Sequence, residues 1–445
     1  MIDSVITTIN MTTPSQCSEV PVVDAMDLSP AEFKERFMLA NRPVLLKGLT
    51  TRWQAIRDWV TDQGSPDLPF LRQRFGQSVV PVTDCKRTNR KLEMTLNEYL
   101  TWWEAHHTNT PADESLPATD TPALLYLKDW NFTQEFPEYE AYTTPEHFSP
   151  DWLNAYWDRP GAGETEGEDD EQCSGNHRFV YMGPAGTWTP LHADVLRSHS
   201  WSANICGKKR WILFPPPQEA LLKGADGRFP VDVYEAMAEP SRFPQLSKAS
   251  PVEVSQGPGD VIFVPSGWWH QVHNLEPTIS VNHNWLNGGN ISWAWEHLTQ
   301  EMHGVKSGLF DEDDRDDDEL CQQLLHRKAG MDQPHFAKFV AYSAVLDIEQ
   351  NSTLGTGNAP AAGSTEQGQP HTLDQTGAEV QKEMMKRVSR VVSLLIGQGT
   401  GSAALLQQCL KRLEDAGADN VEISPAQEKS DDTRMPVKRQ RVQGE

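Results

Sequence analysis

Apolar and polar residues alternate in short segments across the middle of the chain, between residues 177 and 287. Alternation with a period of two over four to eight residues is typical of half-buried strands. The segments are RFVYMG, SWSANIC, KRWILFP, DVIFVPSG, WWHQVHN and TISVNHNWL, and glycine and proline turns separate them. The short segment PQEALLKG alone has a helical pattern within this region, which is therefore predicted to form an antiparallel barrel or sandwich.

The pattern differs on either side of this region. Upstream, residues 21–49 predict strand, helix and strand, and Ser29 before Pro30 is a helix start signal. A second helix is predicted for LNEYLTWWEAHH (96–107), and strand character returns in PALLYLKDWNF (122–132). Downstream of residue 289 the periodicity is helical in ISWAWEHLTQEMHGV, in AKFVAYSAVLDIEQ and in two further amphipathic segments.

These transitions predict one main domain followed by helices. The main domain spans 21–290, with the barrel core at about 177–287 and the acidic segment GAGETEGEDDEQ inserted at 161–172. Residues 1–20 predict a loose leader, and the Gly-, Ser- and Thr-rich stretch 351–377 predicts a disordered linker. A helical extension is expected at 291–350, two helices at 378–418 and a disordered tail at 419–445.

The charge of the chain narrows the classes of partner. The chain has 39 Lys and Arg residues and 63 Asp and Glu residues, so its formal net charge is −24. This excess argues against direct binding to nucleic acid or to an anionic membrane, because both need a basic surface. It favours a basic protein or peptide as the target.

The N-terminus and the cysteines indicate the compartment. The first twenty residues lack a secretory signal, and no apolar run reaches the ~18 residues of a membrane span. The six cysteines include no CxxC pair, which favours reduced thiols over disulfides or a structural zinc site. We therefore expect a soluble cytoplasmic protein. The segment PVKRQR (436–441) is a weak nuclear-import pattern and would allow a fraction of the protein to be nuclear.

Three residues in the strand-rich region predict a metal site. His192 and Asp194 lie one residue apart, and a period of two places both side chains on one face of an extended chain. A third ligand is expected in GPGDVIFVPSGWWHQVHNL (257–275), where His270 is preferred and His273 is the rival. A spacing of three sends these histidines to opposite faces, so one of them points inward. Two histidines and one carboxylate form the open iron(II) site that activates oxygen.

A co-substrate such as 2-oxoglutarate would need a cation for the carboxylate that does not bind the metal. Lys209 is a candidate, because it precedes the apolar run WILF on the strand that follows the metal pair. A lysine between strands is usually solvated, and in that case Lys208 or Arg210 would be the surface residues. Thr189 and Tyr126 offer hydroxyls that could share the same carboxylate.

Two segments carry a family resemblance. TPLHADVLRSHSWSANICGKKRWILFPP (189–216) and GPGDVIFVPSGWWHQVHNL resemble the JmjC family of iron(II)- and 2-oxoglutarate-dependent oxygenases, and NRPVLLKGLTTRW (41–53) is similar to the segment that opens such enzymes. The match covers about residues 20–300. It implies a mainly β chain with flanking helices, built on the double-stranded β-helix or jelly roll of cupin-like JmjC domains, with a C-terminal helical region. It also implies Fe(II), with 2-oxoglutarate and O2 as co-substrates.

The resemblance assigns roles to individual positions. Iron ligands are implied at His192, Asp194 and His270, and the partner of the distal 2-oxoglutarate carboxylate at Lys209. The remaining positions implied in the co-substrate pocket are Thr189 and Tyr126 as hydroxyl partners, Asn284 on the last barrel strand, and Ser202, where relatives often carry a larger polar residue.

The segments are most similar to family members that hydroxylate a lysine of the eukaryotic translation release factor. The expected activity is therefore oxidation of a lysine side-chain carbon in that translation termination factor. The alternatives are a JmjC histone lysine demethylase and a non-catalytic cupin-like binding module. The sequence has no Cys/His pattern of a chromatin-reading module, which favours a non-histone substrate. The acidic charge disfavours hydroxylation of RNA.

Overall fold

Two β-sheets of unequal size form the centre of the protein, which is described by a computed structural model. The structure describes residues 19–87, 90–107, 123–159, 176–309, 312–355 and 375–417. The acidic segment 161–172, the tail 419–445 and all but the last two residues of the leader lie outside these ranges. The strands are β1 (Val22–Asp24), β2 (Val44–Lys47), β3 (Val79–Asp84), β4 (Arg90–Thr95), β5 (Leu125–Trp130), β6 (Arg178–Gly183), β7 (Trp188–His192), β8 (His199–Cys206), β9 (Lys209–Phe214), β10 (Val252–Gln256), β11 (Val261–Val264), β12 (Trp269–Asn274) and β13 (Thr278–Trp285).

The larger sheet has nine strands in the order β1-β2-β11-β8-β13-β6-β5-β3-β4, and the smaller sheet has the order β10-β9-β12-β7. Strands β1 and β2 run parallel, and the other pairs are antiparallel. Strands adjacent in sequence, such as β8 and β9, lie in different sheets, as a jelly roll requires. The fold class predicted from the sequence is confirmed.

Helices surround the two sheets. They are α1 (Pro30–Phe33), α2 (Gln54–Asp58), α3 (Leu68–Phe75), α4 (Leu96–His107), α5 (Phe132–Glu135), α6 (Trp152–Trp157), α7 (Glu219–Leu222), α8 (Val233–Met237), α9 (Ile291–Gly308), α10 (Glu312–Asp316), α11 (Asp318–Ala329), α12 (Gln333–Gly355), α13 (Gln375–Gly397) and α14 (Ala403–Asp415). The start signal at Ser29 is a capping box with Glu32. No helix among the described residues is long and apolar enough to cross a membrane.

Alternation along the strands separates the interior of the barrel from its outer core. Outward-facing residues of the large sheet, among them Trp201, Val281 and Trp285, belong to a buried cluster shared with the N-terminal helices. Their neighbours on β8 and β13 face the small sheet, and these are serines and asparagines. The opposite half of the interior is apolar and includes Trp211 and Val272. The barrel therefore encloses a polar half beside an apolar half.

Some elements differ from the sequence-based prediction. Strand β7 was not expected, and it contains Pro190, a residue that disfavours central strands. Strand β10 is a five-residue segment that was also missed. Strand β11 ends at Val264, because the next residue, Pro265, has no N–H to donate to the ladder. Gly267 adopts a φ of 74° in the turn that follows. Helices α12 and α13 reach into the predicted linker, and residues 356–374 between them lie outside the described ranges.

The close approach of Tyr126 to β6 depends on Gly183. A Cβ at this position would lie 2.5 Å from Tyr126 Cδ2 and 2.6 Å from Thr187 Oγ1. Overpacking of this kind costs about 1–3 kcal/mol. We expect Gly183→Ala to lower the free energy of unfolding by that amount in urea titrations. Gly308→Ala is the control, because nothing lies within 4 Å of a Cβ added at this position. Equal stability of the two variants would contradict the packing argument.

Candidate active site

His192, Asp194 and His270 come together at one end of the barrel. Each offers a ligand atom, and these atoms lie within 4.8 Å of one another. The pairing of β12 with β7 places His270 directly opposite His192, and their ring centroids are 4.2 Å apart. Asp194 follows the end of β7 in extended conformation. The three donors match the two-histidine, one-carboxylate set that holds iron(II) in oxygenases.

Both histidine rings are oriented by backbone carbonyls. His192 Nδ1 lies 2.8 Å from the carbonyl of Pro190, and His270 Nδ1 lies 3.1 Å from that of Trp268. A carbonyl only accepts hydrogen bonds, so each Nδ1 carries the proton and each Nε2 is free to bind a metal. Burial, followed by the charge of His270, lowers the pKa of His192 to about 4. The ring is therefore neutral at pH 7, which is the ligating form.

The carboxylate of Asp194 is held by a serine. Ser200 Oγ donates a hydrogen bond of 2.6 Å to Asp194 Oδ2. One oxygen is thereby anchored, and Oδ1 is left for a metal ion. Ser200 lies on β8, in the large sheet, so this bond joins the ligand loop to the opposite wall of the barrel.

The rival histidine, His273, faces away from this site. Its ring stacks on Trp188 at 5.7 Å between centroids, and its Nε2 lies 2.8 Å from Gln271 Nε2. His273 and Trp188 pair across the strands with both side chains outside the barrel. The structure therefore brings His270, and not His273, to the other two candidate ligands.

A β-bulge allows Thr189 to share the interior with His192. These residues are three apart, so a regular strand would send them to opposite faces. Val272 pairs with Thr189 and His270 pairs with His192, with a register shift between the two pairs. Because Val272 and His270 are two apart and both face inward, the extra residue in β7 turns Thr189 inward as well.

Lys209 lies inside the barrel, away from the metal end. It is 2% exposed, and its Nζ donates a 2.6 Å hydrogen bond to Ser280 Oγ on β13. Among the described residues no carboxylate lies within ion-pair distance of it. Burial lowers its pKa to about 7. Lys208 is exposed and Arg210 pairs with Glu253 at 2.7 Å, so both face outward.

The distance along β12 leaves room for a small dicarboxylate. Lys209 pairs with Asn274, and His270 lies four residues earlier on the same strand, which is about 13 Å at the usual strand rise. Tyr126 is buried, and its ring lies against Gly183 of β6, which pairs with Thr278. Thr189 pairs with Val272, midway between the two levels. Lys209 and Thr189 thus line the wall formed by the small sheet, and Tyr126 belongs to β5 of the large sheet.

Asn284 and Ser202 lie on the opposite wall. Asn284 pairs with Ser200 on β8, and its Nδ2 donates to Ser198 Oγ at 3.2 Å. Ser202 is 3% exposed, and its Oγ has no hydrogen-bond partner in the described part of the chain. A buried, unpaired hydroxyl facing the interior is free to bond a ligand. The smaller residue that departs from the family pattern therefore remains a possible contact.

Sequence reasoning missed several residues that support the site. Ser200 and Ser280 hold Asp194 and Lys209, and Asn282 donates to Ser280 at 3.2 Å. The signal was present in β13, whose polar residues recur at positions 280, 282 and 284. That alternation comes from a polar face inside the barrel, but a solvated face would give the same pattern. The two cases can be told apart only when the position of the second sheet is known.

A second group of metal-binding residue types lies far from the barrel. His326, Asp332 and His335 gather where α11 ends and α12 begins. Asp332 accepts from the backbone N of His335 at 2.7 Å and lies 2.6 Å from its Nδ1. These are the contacts of a helix cap, so the helix junction accounts for the group.

Comparison with known proteins identifies the family. A cupin-like domain matches residues 30–290. The Arabidopsis thaliana protein named arginine-specific demethylase JMJ20 is 42% identical over 334 residues, 73% of this chain and 70% of the relative. Proteins named 2-oxoglutarate and iron-dependent oxygenase JMJD4 are 39% identical over 357 residues in Gallus gallus (77% of this chain, 80% of the relative) and 40% over 334 residues in Homo sapiens (72% and 76%). The chain belongs to the JmjC family of iron- and 2-oxoglutarate-dependent oxygenases.

The residues of this JmjC oxygenase fit its cofactor. Two imidazoles and a carboxylate converge, and the buried Lys209 has a serine as its partner where an anion would compensate its charge. Iron with 2-oxoglutarate and O2 supplies the oxidation of an unactivated C–H bond. The family predicted from the sequence, and its cofactors, are thereby confirmed.

The metal-site geometry predicts how histidine variants behave. Changes to residues behind a ligand already cost 10–100-fold in metal affinity. We therefore expect His270→Ala to weaken Fe(II) binding about 100-fold or more in anaerobic titrations. The same loss is expected for His192→Ala and for Asp194→Ala. His273→Ala is the matched control and should bind Fe(II) like the unaltered protein. Loss of binding in His273→Ala, with retention in His270→Ala, would show that the wrong histidine is assigned.

The burial of Lys209 predicts its effect on the co-substrate. A charge-assisted hydrogen bond contributes about 1.5–3 kcal/mol, so Lys209→Ala should raise the KM for 2-oxoglutarate at least about tenfold. Lys208→Ala, one residue away and exposed, should leave the KM unchanged. Succinate release at varied 2-oxoglutarate measures both values, and equal effects would refute the inward role of Lys209.

Proposed function

We propose that this oxygenase hydroxylates a carbon of a lysine side chain in a translation release factor. The observation that carries the proposal is the convergence of His192, Asp194 and His270 at the end of a barrel whose interior also holds Lys209. The JMJD4 relatives, which are named 2-oxoglutarate and iron-dependent oxygenases, support the reaction class. The resemblance described above and the net charge of −24 support a cationic protein target.

Each site residue has a role in this proposal. His192, Asp194 and His270 hold the iron, and the carbonyls of Pro190 and Trp268 keep Nε2 of each histidine facing it. Preoriented ligands cost little reorganisation when the metal binds. With three protein ligands, the metal would keep open coordination positions for 2-oxoglutarate and O2.

The interior around Lys209 binds the far carboxylate of 2-oxoglutarate. Lys209 donates to it, and Tyr126 and Thr189 add hydroxyls. Burial raises the pKa of Tyr126, so this hydroxyl stays protonated and can donate. Asn284 and Ser202 complete the pocket from the large sheet. The apolar half of the interior excludes water, which strengthens each of these bonds.

A second candidate reaction is demethylation of methylarginine. The relative at 42% identity is named an arginine-specific demethylase. The same oxidation at an N-methyl carbon gives a hemiaminal, which loses formaldehyde and leaves the amine. Hydroxylation and demethylation therefore differ in the carbon that the substrate presents. The histone lysine demethylase follows the same chemistry, whereas a non-catalytic binding module would not need the complete set of ligands and Lys209.

A release factor acts at the ribosome, so the proposal places the enzyme in the cytoplasm. The substrate would be the folded factor or a loop of it, with no direct contact to nucleic acid and none to a membrane. The negative charge of the enzyme supports this, because it repels the phosphate backbone of ribosomal RNA.

Mass spectrometry of intact proteins distinguishes the candidate reactions. The enzyme is incubated with Fe(II), 2-oxoglutarate and release factor, or with methylated histone or methylarginine peptides. We expect a gain of one oxygen atom on a release-factor lysine, and no gain with the Asp194→Ala variant. Loss of methyl groups from histone or arginine peptides, with the release factor unmodified, would overturn the proposal.

A further inference from the structure

Strand β5 is irregular beside the active site. Its pairing with β6 shifts between Leu127 and Trp130, so that Lys128 and Asp129 together lie opposite Tyr181. Two residues against one form a β-bulge, a device that re-aims side chains near active sites. Asp129 adopts a φ of 64°. This left-handed conformation is uncommon for residues other than glycine, and aspartate and asparagine tolerate it best.

The bulge turns Asp129 toward the interior. Leu127 and Trp130 both pack in the core behind the large sheet, which a regular strand would not allow for residues three apart. The extra residue therefore faces the barrel. Tyr181 confirms this direction, because it pairs with the inward-facing Ser280 and its hydroxyl donates a 2.7 Å hydrogen bond to Asp129 Oδ1.

The register places Asp129 nearer the metal end of the barrel than Tyr126. Tyr126 lies against Gly183, at the end of β6 nearest Lys209. Because β5 and β6 are antiparallel, the step from Tyr126 to Asp129 leads toward the metal end. Burial raises the pKa of Tyr181, and the charges of Asp129 and Asp194 raise it further. The tyrosine hydroxyl thus contacts Asp129 and is influenced by the charge of Asp194.

The carboxylate of Asp129 has capacity for a further partner. Tyr181 occupies Oδ1, the side chain is half-buried, and in the described ranges no ion pair joins Asp129 to a cation. Its neighbour Lys128 interacts with it through charge but forms no ion pair with it, and Nζ of Lys128 lies 5.9 Å from the centre of the Tyr126 ring. A half-buried carboxylate without an ion pair gains when a cation reaches it.

We propose that Asp129, positioned by the bulge and by Tyr181, binds the cationic end of the substrate side chain and thereby selects a charged residue over a neutral one. This rests on the proposed function, in which the oxidised residue is a lysine. A methylarginine guanidinium has the same chemistry and would use the same carboxylate. The competing role is structural: Asp129 would then only offset the charge of Lys128.

Asp129→Asn tests the charge with the backbone kept. Asparagine has the same shape, adopts positive φ readily and can accept from Tyr181. Asp226→Asn is the control, on an exposed turn outside the barrel. The probes are a release-factor peptide containing the target lysine and the same peptide with norleucine, which lacks the ammonium. A second pair carries methylarginine or methylcitrulline. Peptide oxidation and succinate release without peptide are both measured.

The unaltered enzyme should have a KM for the lysine peptide at least about tenfold below that for the norleucine peptide, as one charge-assisted bond predicts. Asp129→Asn should raise the lysine KM about tenfold and remove the preference. Asp226→Asn should keep the KM values and the lysine preference of the unaltered enzyme.

Two results would overturn the assignment of Asp129. One is a lysine preference that survives in Asp129→Asn. The other is loss of peptide-independent succinate release in that variant, which would indicate the structural role. Failure of the proposed function gives a different result: the unaltered enzyme leaves the lysine peptide unmodified and oxidises the methylarginine peptide. In that case the methylarginine and methylcitrulline peptides test Asp129 in the same way: the preference for the charged peptide should be lost in Asp129→Asn.

Discussion

The antiparallel pairing of β7 with β12 is the constraint on which the active site depends. It sets His192 opposite His270, two residues that are far apart in the sequence, and it lets the backbone carbonyls behind them fix both rings. A slip of one residue would turn His270 outward and His273 inward. The bulge in β7 then adds Thr189 to the same wall. The chemistry of the site therefore follows from strand register more than from any single side chain.

Burial of charge is the second constraint. Lys209 lies inside the barrel with a serine hydroxyl as its hydrogen-bond partner. An unpaired buried charge costs several kcal/mol (roughly), so the ammonium of Lys209 needs an anionic partner inside the barrel. A dicarboxylate relieves that cost when it binds. The same reasoning applies to the proposal for Asp129, whose carboxylate has no ion pair among the described residues and would gain from a substrate cation.

The sequence predicted the barrel, the ligand set and Lys209, because each has a local signal. Alternating strands, an HxD pair and a histidine after the SGWW turn are visible without three-dimensional contacts. Strand β7 was missed because it contains Pro190, and proline argues against a central strand since it has no N–H to donate. Bulges leave no local signal either: Thr189 and Asp129 face the interior through register shifts that depend on the partner strand. Ser280 resembles any residue of a solvated face until the second sheet covers it.

Anomalous diffraction from crystals grown with Mn(II) and 2-oxoglutarate tests the central claim most directly, because it locates the metal and the co-substrate independently of activity. The account predicts one strong metal peak bonded to Nε2 of His192, Nε2 of His270 and the carboxylate of Asp194, with the far carboxylate of 2-oxoglutarate on Lys209 Nζ. A metal peak at His326, Asp332 and His335 with the barrel site empty, or a carboxylate bound away from Lys209, would contradict it.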